Sequence, residues 1–328
     1  MDTRTLGKTG RTVSVIGLGT WQLGADWGDV SEAEATTVLA ASVEAGVTFF
    51  DTADVYGDGR SEQIIGRFLA GSPVGAGITV ATKMGRRVDQ LAENYVLANF
   101  RAWTDRSRAN LGMDTLHLVQ LHCPPSAVVE SDEVYDALDT LVAEGAIANY
   151  GVSVETCDQA LAAITRPGLA TVQIILNAFR LKPLEEVVPS ARAAGVGIIA
   201  RVPLASGLLT GKYTRDTAFA TNDHRNYNRD GSAFDVGETF SGVDFATGVR
   251  AATELSAFVP DGLTPAQAAI RWVTEQDGVS TVIPGARSVA QATSNATAGT
   301  AEPLPQEYLD AVRSIYDADF RAAIHDRW

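Results

Sequence analysis

Short apolar runs alternate with helix-like segments along nearly all of this 328-residue chain. That rhythm constrains the fold more than any other feature, because strand–helix repetition favours a parallel sheet with helices packed outside it. The strand-like runs fall at 13–19, 47–51, 78–83, 116–122, 149–154, 171–177, 197–202 and 280–284. Between them, Ser31 and Glu34 form a capping box for a helix that ends before Gly46. Further helices are expected at 61–70, 93–111 (stopped by Gly112), 134–144 (stopped by Gly145), 157–164, 184–194 and 289–298. Thr264 followed by Pro265 marks one more helix start. Eight such units fit a closed (β/α)8 TIM barrel better than an open sheet. No internal repeat or composition break divides the chain, so residues 1–328 are expected to form a single domain.

Three segments lie outside the units. Residues 3–12 contain Leu6-Gly7-Lys8-Thr9-Gly10 and read as a hairpin closing the barrel bottom. Residues 211–243 form a long polar insertion after the seventh strand, which places it on the C-terminal face as a lid or cofactor clamp. Residues 305–328 read as a helix with Leu309, Val312 and Ile315 on one face.

Composition narrows the class. Hydrophobic residues make up 45% of the chain and charged residues 20%, enough for a large core. A net charge of −14 argues against nucleic acid or an anionic membrane as partner. Two cysteines, Cys123 and Cys157, are too few for a disulfide framework, and Met1-Asp2-Thr3-Arg4 leads into no apolar signal core. No run approaches the ~18 apolar residues of a membrane span. A cytoplasmic protein is expected.

Chemistry concentrates at the strand ends, where barrels carry it. Asp51, Lys83 and His122 end or nearly end the second, third and fourth strands, and Tyr56 lies in the loop past Asp51. A phenol with a pKa of about 10 is a poor proton donor at neutral pH, and a nearby ammonium stabilises its phenolate. A carboxylate keeps that ammonium charged and oriented, and an imidazole can hydrogen-bond a substrate oxygen. Together they make a general acid for an oxygen that gains negative charge, such as a carbonyl under reduction.

Several motifs then point one way. Leu6-Gly7-Lys8-Thr9-Gly10, Gly17-Leu18-Gly19-Thr20-Trp21, Phe50-Asp51-Thr52-Ala53-Asp54-Val55-Tyr56-Gly57, and Ser61-Glu62 ahead of Gly66 form the first half of the set. Ala81-Thr82-Lys83, Gln120-Leu121-His122, Tyr150-Gly151-Val152-Ser153, the stretch 203–212 and Ile283-Pro284-Gly285 complete it. With these the chain resembles the aldo-keto reductases, NADPH-dependent carbonyl reductases on a (β/α)8 barrel. The resemblance implies that Asp51, Tyr56, Lys83 and His122 are the catalytic tetrad, with Tyr56 giving the proton while the nicotinamide gives hydride. It implies a small-molecule carbonyl substrate.

The resemblance also implies cofactor contacts at Gly19, Thr20, Trp21 and Asp51, and a nicotinamide carboxamide held by Ser153 and Gln173. Leu204, Ser206, Leu209 and Lys212 fall in the pyrophosphate segment. Gly285 and Arg287, with Gln291 and Asn295 behind them, open the last barrel helix, where a helix N-terminus and an arginine suit a 2′-phosphate. This favours NADPH/NADP+ over NADH. Gln22 occupies the third glycine position of a Rossmann fingerprint, in keeping with a cofactor bound across a barrel rim. Trp21, Trp27 and Val55, beside Tyr56 and His122, are expected to line the substrate cavity and to favour apolar or aromatic aldehydes.

Three positions depart from the family pattern. Val154 replaces a polar residue, Arg201 stands where many relatives stack an aromatic ring on the nicotinamide, and Ser294 replaces a common Glu. No metal site is expected. His117 and His122 are an odd number apart on one strand, and Cys123 is expected to point away from His122. Two rival functions share the same residues: an NAD-dependent sugar or polyol dehydrogenase, and a nucleotide-binding redox-sensing subunit with slow turnover.

Overall fold

The computed structural model describes residues 1–24, 30–73, 75–221 and 223–328. Strands β1 (Thr3–Thr5) and β2 (Thr12–Ser14) pair antiparallel as an N-terminal hairpin. Eight parallel strands follow in sequence order in one sheet. They are β3 (Leu18–Gly19), β4 (Phe49–Asp51), β5 (Thr79–Met84), β6 (Leu118–His122), β7 (Tyr150–Ser153), β8 (Leu169–Ile175), β9 (Gly197–Arg201) and β10 (Val279–Val282). First and last strands meet. Gly17 N donates to Val282 O at 2.8 Å, Val282 N donates to Val15 O at 3.0 Å, and Gly19 bridges Gly285. The sheet therefore closes into the expected (β/α)8 barrel and leaves no open edge.

The inward face of the strands explains the site. Phe49, Ala81, Leu118, Ile199 and Ile283 form a buried cluster with Leu6 and Val13 from the hairpin, which plugs the barrel floor. Strand side chains alternate, so the next inward positions are two residues on. Those are Asp51, Lys83, Gln120 and Arg201. One face of these four strands thus turns from apolar to polar on approaching the C-terminal rim. The outward faces pack against the surrounding helices in the larger core, with Val80, Phe100, Leu138, Val172 and Ile270 among its members.

Four expectations need adjustment. The run 13–19 is not one strand: Thr12–Ser14 belongs to the hairpin, and only Leu18–Gly19 enters the barrel. The third helix starts at Leu97 rather than 93, because Val96 is extended and a separate short turn occupies Ala92–Asn94. The helix Phe245–Ser256 was not anticipated; its signal is Asp244, whose carboxylate caps Thr247 N at 2.8 Å. The C-terminal segment is broken rather than continuous: helix Gln306–Ile315 passes into a wide π-type turn at Tyr316–Phe320 and a short helix Arg321–Ile324. The capping boxes Ser31–Glu34 and Thr264–Gln267 form, the latter with Pro265 in the first turn. Among the described residues no helix is long and apolar enough to cross a membrane.

Candidate active site

Asp51 and Lys83 meet in the polar layer above the barrel floor. Both are almost wholly buried, and the Lys83 ammonium is ion-paired to Asp51 Oδ1. Lys83 Nζ also donates to Thr52 O at 2.9 Å and to the Tyr56 hydroxyl at 3.4 Å. The other Asp51 oxygen accepts from Gln173 Nε2 at 2.8 Å and Gln120 Nε2 at 3.1 Å. The carboxylate is thus satisfied on both sides, which a buried charge requires. Gln120 was not among the expected site residues, although it shares the inward face two positions before His122.

The loop after β4 delivers Tyr56. Its first residues still follow the sheet, with Thr52 N donating to Ala81 O and Asp54 N to Lys83 O. Gly57 then turns with φ 58, and a Cβ there would collide with the Gly24 carbonyl. The Ser61-Glu62 motif has a structural task. Ser61 Oγ accepts from Thr52 Oγ1 at 2.9 Å, and the Glu62 carboxylate accepts from Thr82 Oγ1 at 2.6 Å and Asn110 Nδ2 at 2.8 Å.

Burial and charge set the protonation states. Burial works against the Lys83 ammonium, but Asp51 and Tyr56 outweigh it and raise its pKa. For Tyr56 burial wins: the phenol is pushed above 10, with Lys83 pulling the other way. The lowering expected from Lys83 alone is therefore only a partial offset. Burial, with Arg86, Lys83 and Arg201 nearby, holds His122 well below its usual 6.5, so it is a neutral imidazole. Its ring lies edge-on to Tyr56 with centroids 5.9 Å apart, and its Nδ1 has no hydrogen-bond partner among the described residues.

A second charge cluster lies beside the first. Arg201 Nη2 pairs with Glu155 Oε2 at 2.8 Å, and Arg86 Nη2 reaches Glu155 at 3.4 Å and Glu238 at 3.2 Å. Cys123 belongs to it, against expectation. The strand ends at His122 and Cys123 takes φ 48, so alternation fails there. Its Sγ sits 3.5 Å from Ser153 Oγ and 3.7 Å from Arg201 Nη2. Ligand atoms of Cys123, Glu155 and Glu238 fall within 4.8 Å of one another. The carboxylates already pair with arginines and burial pushes the thiol up to about 12, a donor set suited to ion pairing rather than a cation.

One long cavity joins these groups to the rim. Gly19, Thr20, Trp21, Asp51, Tyr56, Gln173 and Arg201 line it. Leu204, Ser206, Gly285, Arg287 and Gln291 line it too. Ser153, Leu209, Lys212 and Asn295 do not line it: Leu209 is in the core, Lys212 is exposed, and Asn295 Nδ2 donates to Gly285 O at 3.1 Å. Lys83, His122 and Val55 also stand outside the lining, and Trp27 lies outside the described residues. The cavity includes residues that sequence reasoning missed: Gln22 from the first strand's loop, and Tyr213, His224, Arg225 and Glu238 from the insertion 211–243.

The insertion has its own fabric. His224–Tyr227 is a short helix, and Asn228 Oδ1 accepts from Ala233 N and Phe234 N. Trp21 packs on its underside, 5.5 Å from the His224 ring and 6.2 Å from Phe234. Ser206 ties it to the barrel, donating to Glu238 O and accepting from Phe240 N, each at 3.0 Å. Val202, Ala205, Ser206 and Gly207 all take positive φ, and the turn closes on itself, Ala205 N donating to Val202 O and Gly207 N to Leu204 O.

Comparison with known proteins agrees with this geometry. The Aldo/keto reductase family profile matches residues 15–317. A probable voltage-gated potassium channel subunit beta from Oryza sativa subsp. japonica is 30% identical, with 96% of each chain covered. The solved glycerol dehydrogenase from Gluconobacter oxydans superposes with TM-score 0.79 at 30% identity, covering 96% of this chain and 94% of that one. An aldo-keto reductase from Klebsiella pneumoniae, solved in complex with NADPH, gives TM-score 0.69 at 25% identity, with 96% of each covered. A closed barrel, a polar inner layer at its C-terminal rim and a family match over nearly the whole chain lead to one conclusion: this protein belongs to the aldo/keto reductase family.

Proposed function

We propose that the chain, one barrel unit over residues 1–328, is an NADP(H)-dependent reductase of aldehydes and ketones. The observation that carries this reading is the Lys83 ammonium held behind the cavity wall, between the Asp51 carboxylate and the Tyr56 hydroxyl that line it. Residues able to hold a dinucleotide line the cavity: Gln173 and Arg201, Ser206 and Gly207 from a positive-φ turn, and Arg287 and Gln291. The NADPH complex of the Klebsiella pneumoniae relative supports the same assignment.

When bound, the dinucleotide supplies the hydride. The remaining work belongs to the chain. Tyr56 donates its proton to the carbonyl oxygen as negative charge builds there. Lys83 stabilises the phenolate left behind, and Asp51 keeps Lys83 charged and aimed. Neutral His122 orients the carbonyl through a ring N–H without competing for the proton. Gln120 and Gln173 hold Asp51 in place.

The test is NADPH consumption with a panel of aldehydes, run beside NADH. Wild type is expected to turn over, and Tyr56→Phe to lose roughly 10²–10⁴-fold in kcat. Equal rates for the two proteins remove Tyr56 as the acid. Likeness to a glycerol dehydrogenase supports a second reading, a polyol dehydrogenase working in reverse. Faster NAD⁺- or NADP⁺-dependent glycerol oxidation than aldehyde reduction at neutral pH favours it. Tight NADPH binding with negligible turnover in either direction supports a redox-sensing subunit.

A further inference from the structure

The loop that delivers Tyr56 carries two acids with opposite surroundings, and the proton transfer uses neither. Asp54 is 1% exposed, and both of its carboxyl oxygens lack a hydrogen-bond partner among the described residues. Buried carboxyls are rarely left so, because losing water without a replacement partner costs free energy. Asp58, four residues on, is exposed, yet it holds two cations. Arg87 Nη2 lies 2.9 Å and Arg106 Nη2 3.0 Å from its Oδ1. Arg106 Nη2 also donates to Asp58 O at 2.6 Å, while its Nη1 donates to Asp54 O at 3.3 Å. One guanidinium thus already touches the main chain of the acid that lacks a partner.

Three elements bring charge to Asp54: Glu62 from the helix Arg60–Gly71, Arg106 from the helix Leu97–Leu111, and Arg87 from the loop after β5. The Tyr95 phenol lies near enough to feel it. Glu62 is committed to Thr82 and Asn110, and Lys83 offers only its carbonyl, which accepts from Asp54 N at 3.1 Å. The two arginines are left to answer a charge on Asp54. Burial, with Glu62 adding, raises the carboxyl to about 7, so mildly acid solution keeps it neutral. Both arginines resting on Asp58 suits that neutral acid. Once Asp54 ionises, the balance reverses, because water serves exposed Asp58 and cannot serve buried Asp54. Tyr56 lies between the two acids, with Tyr56 N donating to Ala53 O and Asp58 N to Val55 O, each at 3.1 Å. Asp58 takes φ 51 between Gly57 and Gly59, also at positive φ, so the arginines steady a left-handed turn.

We propose that Asp54 is a positioning residue for Tyr56: on losing its proton to water it draws Arg106 from Asp58, and the turn beside Tyr56 slackens. The hydroxyl of Tyr56 meets Lys83 Nζ at 3.4 Å, the long end of a hydrogen bond, so a small displacement breaks the contact. Without it the ammonium no longer offsets burial at the phenol, which becomes a poorer proton donor. Reduction is therefore faster while Asp54 is neutral and falls to a lower plateau once it is charged. The effect on rate rests on the reading of Tyr56 as general acid; the titration of Asp54 and its competition with Asp58 do not.

Two measurements over about pH 5 to 9 test it, a range that brackets the ordinary carboxyl and phenol values from inside. Carboxyl ¹³C NMR of wild type and Asp54→Asn assigns a titration to Asp54. The kcat for the best aldehyde of the panel, at saturating NADPH, shows whether Tyr56 follows it. Wild-type kcat is expected to drop about three- to tenfold to a lower plateau at the same midpoint, well inside the cost of an ångström of misplacement. Asp54→Asn is expected to keep the low-pH rate throughout. Asp58→Asn, at an exposed site, frees Arg106 for Asp54 and should move the carboxyl midpoint down by about one unit. The absence of a titration that vanishes in Asp54→Asn overturns the inference. So does a titration that leaves kcat flat, a kcat step that persists in Asp54→Asn, or a midpoint unmoved in Asp58→Asn. The wild-type profile and Asp58→Asn keep the test decisive should Asp54→Asn fail to fold. If wild type reduces nothing with NADPH or NADH, the reductase reading falls, and the effect on Tyr56 with it; a missing Asp54 titration in an active enzyme sinks this inference alone.

Discussion

Two buried charge clusters share the barrel mouth, and they are built differently. The Asp51–Lys83 set comes from the strands: β4, β5, β6 and β8 each place one member on the inward face. The Arg86–Glu155–Arg201–Glu238 set comes from strand ends and loops, and its last member arrives 152 residues after its first. Hydrogen bonds between neighbouring strands fix the first cluster, so its geometry is as rigid as the barrel. The second depends on where the insertion settles. Gly237 and Gly242 rest against the Trp328 ring, which in turn lies under the Arg180 guanidinium at 4.0 Å. Asn177 Nδ2 donates to Ser241 Oγ at 2.8 Å. Similar charges are therefore fixed by different means: the sheet in one cluster, contacts between segments remote in sequence in the other.

The sharpest way to break the comparison is Lys83→Met. It removes the ammonium from Tyr56 and strands Asp51, so kcat should fall roughly 10²–10⁴-fold and stability by about 3–5 kcal/mol. Chemical denaturation alongside turnover separates the two effects, and a folded variant of wild-type activity would refute the division of labour. Asp54 shows what a buried carboxyl does in neither cluster. Burial, with Glu62 adding, raises it to about 7 against the pull of Arg87 and Arg106. The folded value lies above the unfolded 3.8, so its contribution to stability is present below about pH 4 and lost as pH rises through about 7. Asp54→Asn should be the more stable protein at pH 8, by at most about 4 kcal/mol, and the gap should close towards pH 4. A gap constant over that range means the carboxyl does not titrate there.

Gly237→Ala probes the second cluster's foundation. A Cβ there meets Arg180 Nη1 at 2.5 Å and Trp328 at 2.8 Å, so the segment carrying Glu238 must shift. The expected loss is about 1–3 kcal/mol, read by chemical denaturation. An unchanged melting temperature would mean that the insertion is not seated on Trp328. The smallest effect belongs to Asp277→Ala, which removes an ion pair to Arg192 at an exposed site. Its melting temperature should stay within about 1 °C of wild type, marking how little a charge pair contributes once water can screen it.

What could be read beforehand divides along the same line. Asp51, Lys83 and His122 were legible because strand period and strand end are local facts, and Tyr56 because its loop is short. Gln120 was equally legible by period, two residues before His122, but a glutamine announces no chemistry. Cys123 was misplaced because alternation assumes an extended backbone, and φ 48 is settled by what packs around it. Glu155, Arg86 and Glu238 carry no motif. An exposed loop and a buried ion-pair network have the same composition until the chain brings them together.

By itself the sequence determined the barrel, its polar inner layer and the order of the chemical groups on it. Those follow from periods of two and 3.6 residues, caps and turn residues, all short-range. Only the tertiary structure decided which insertion residues reach the cavity, which arginines are left with open donors, and how far burial outweighs Lys83 at Tyr56. Those depend on distances between segments remote in sequence, and on the loss of water where they meet.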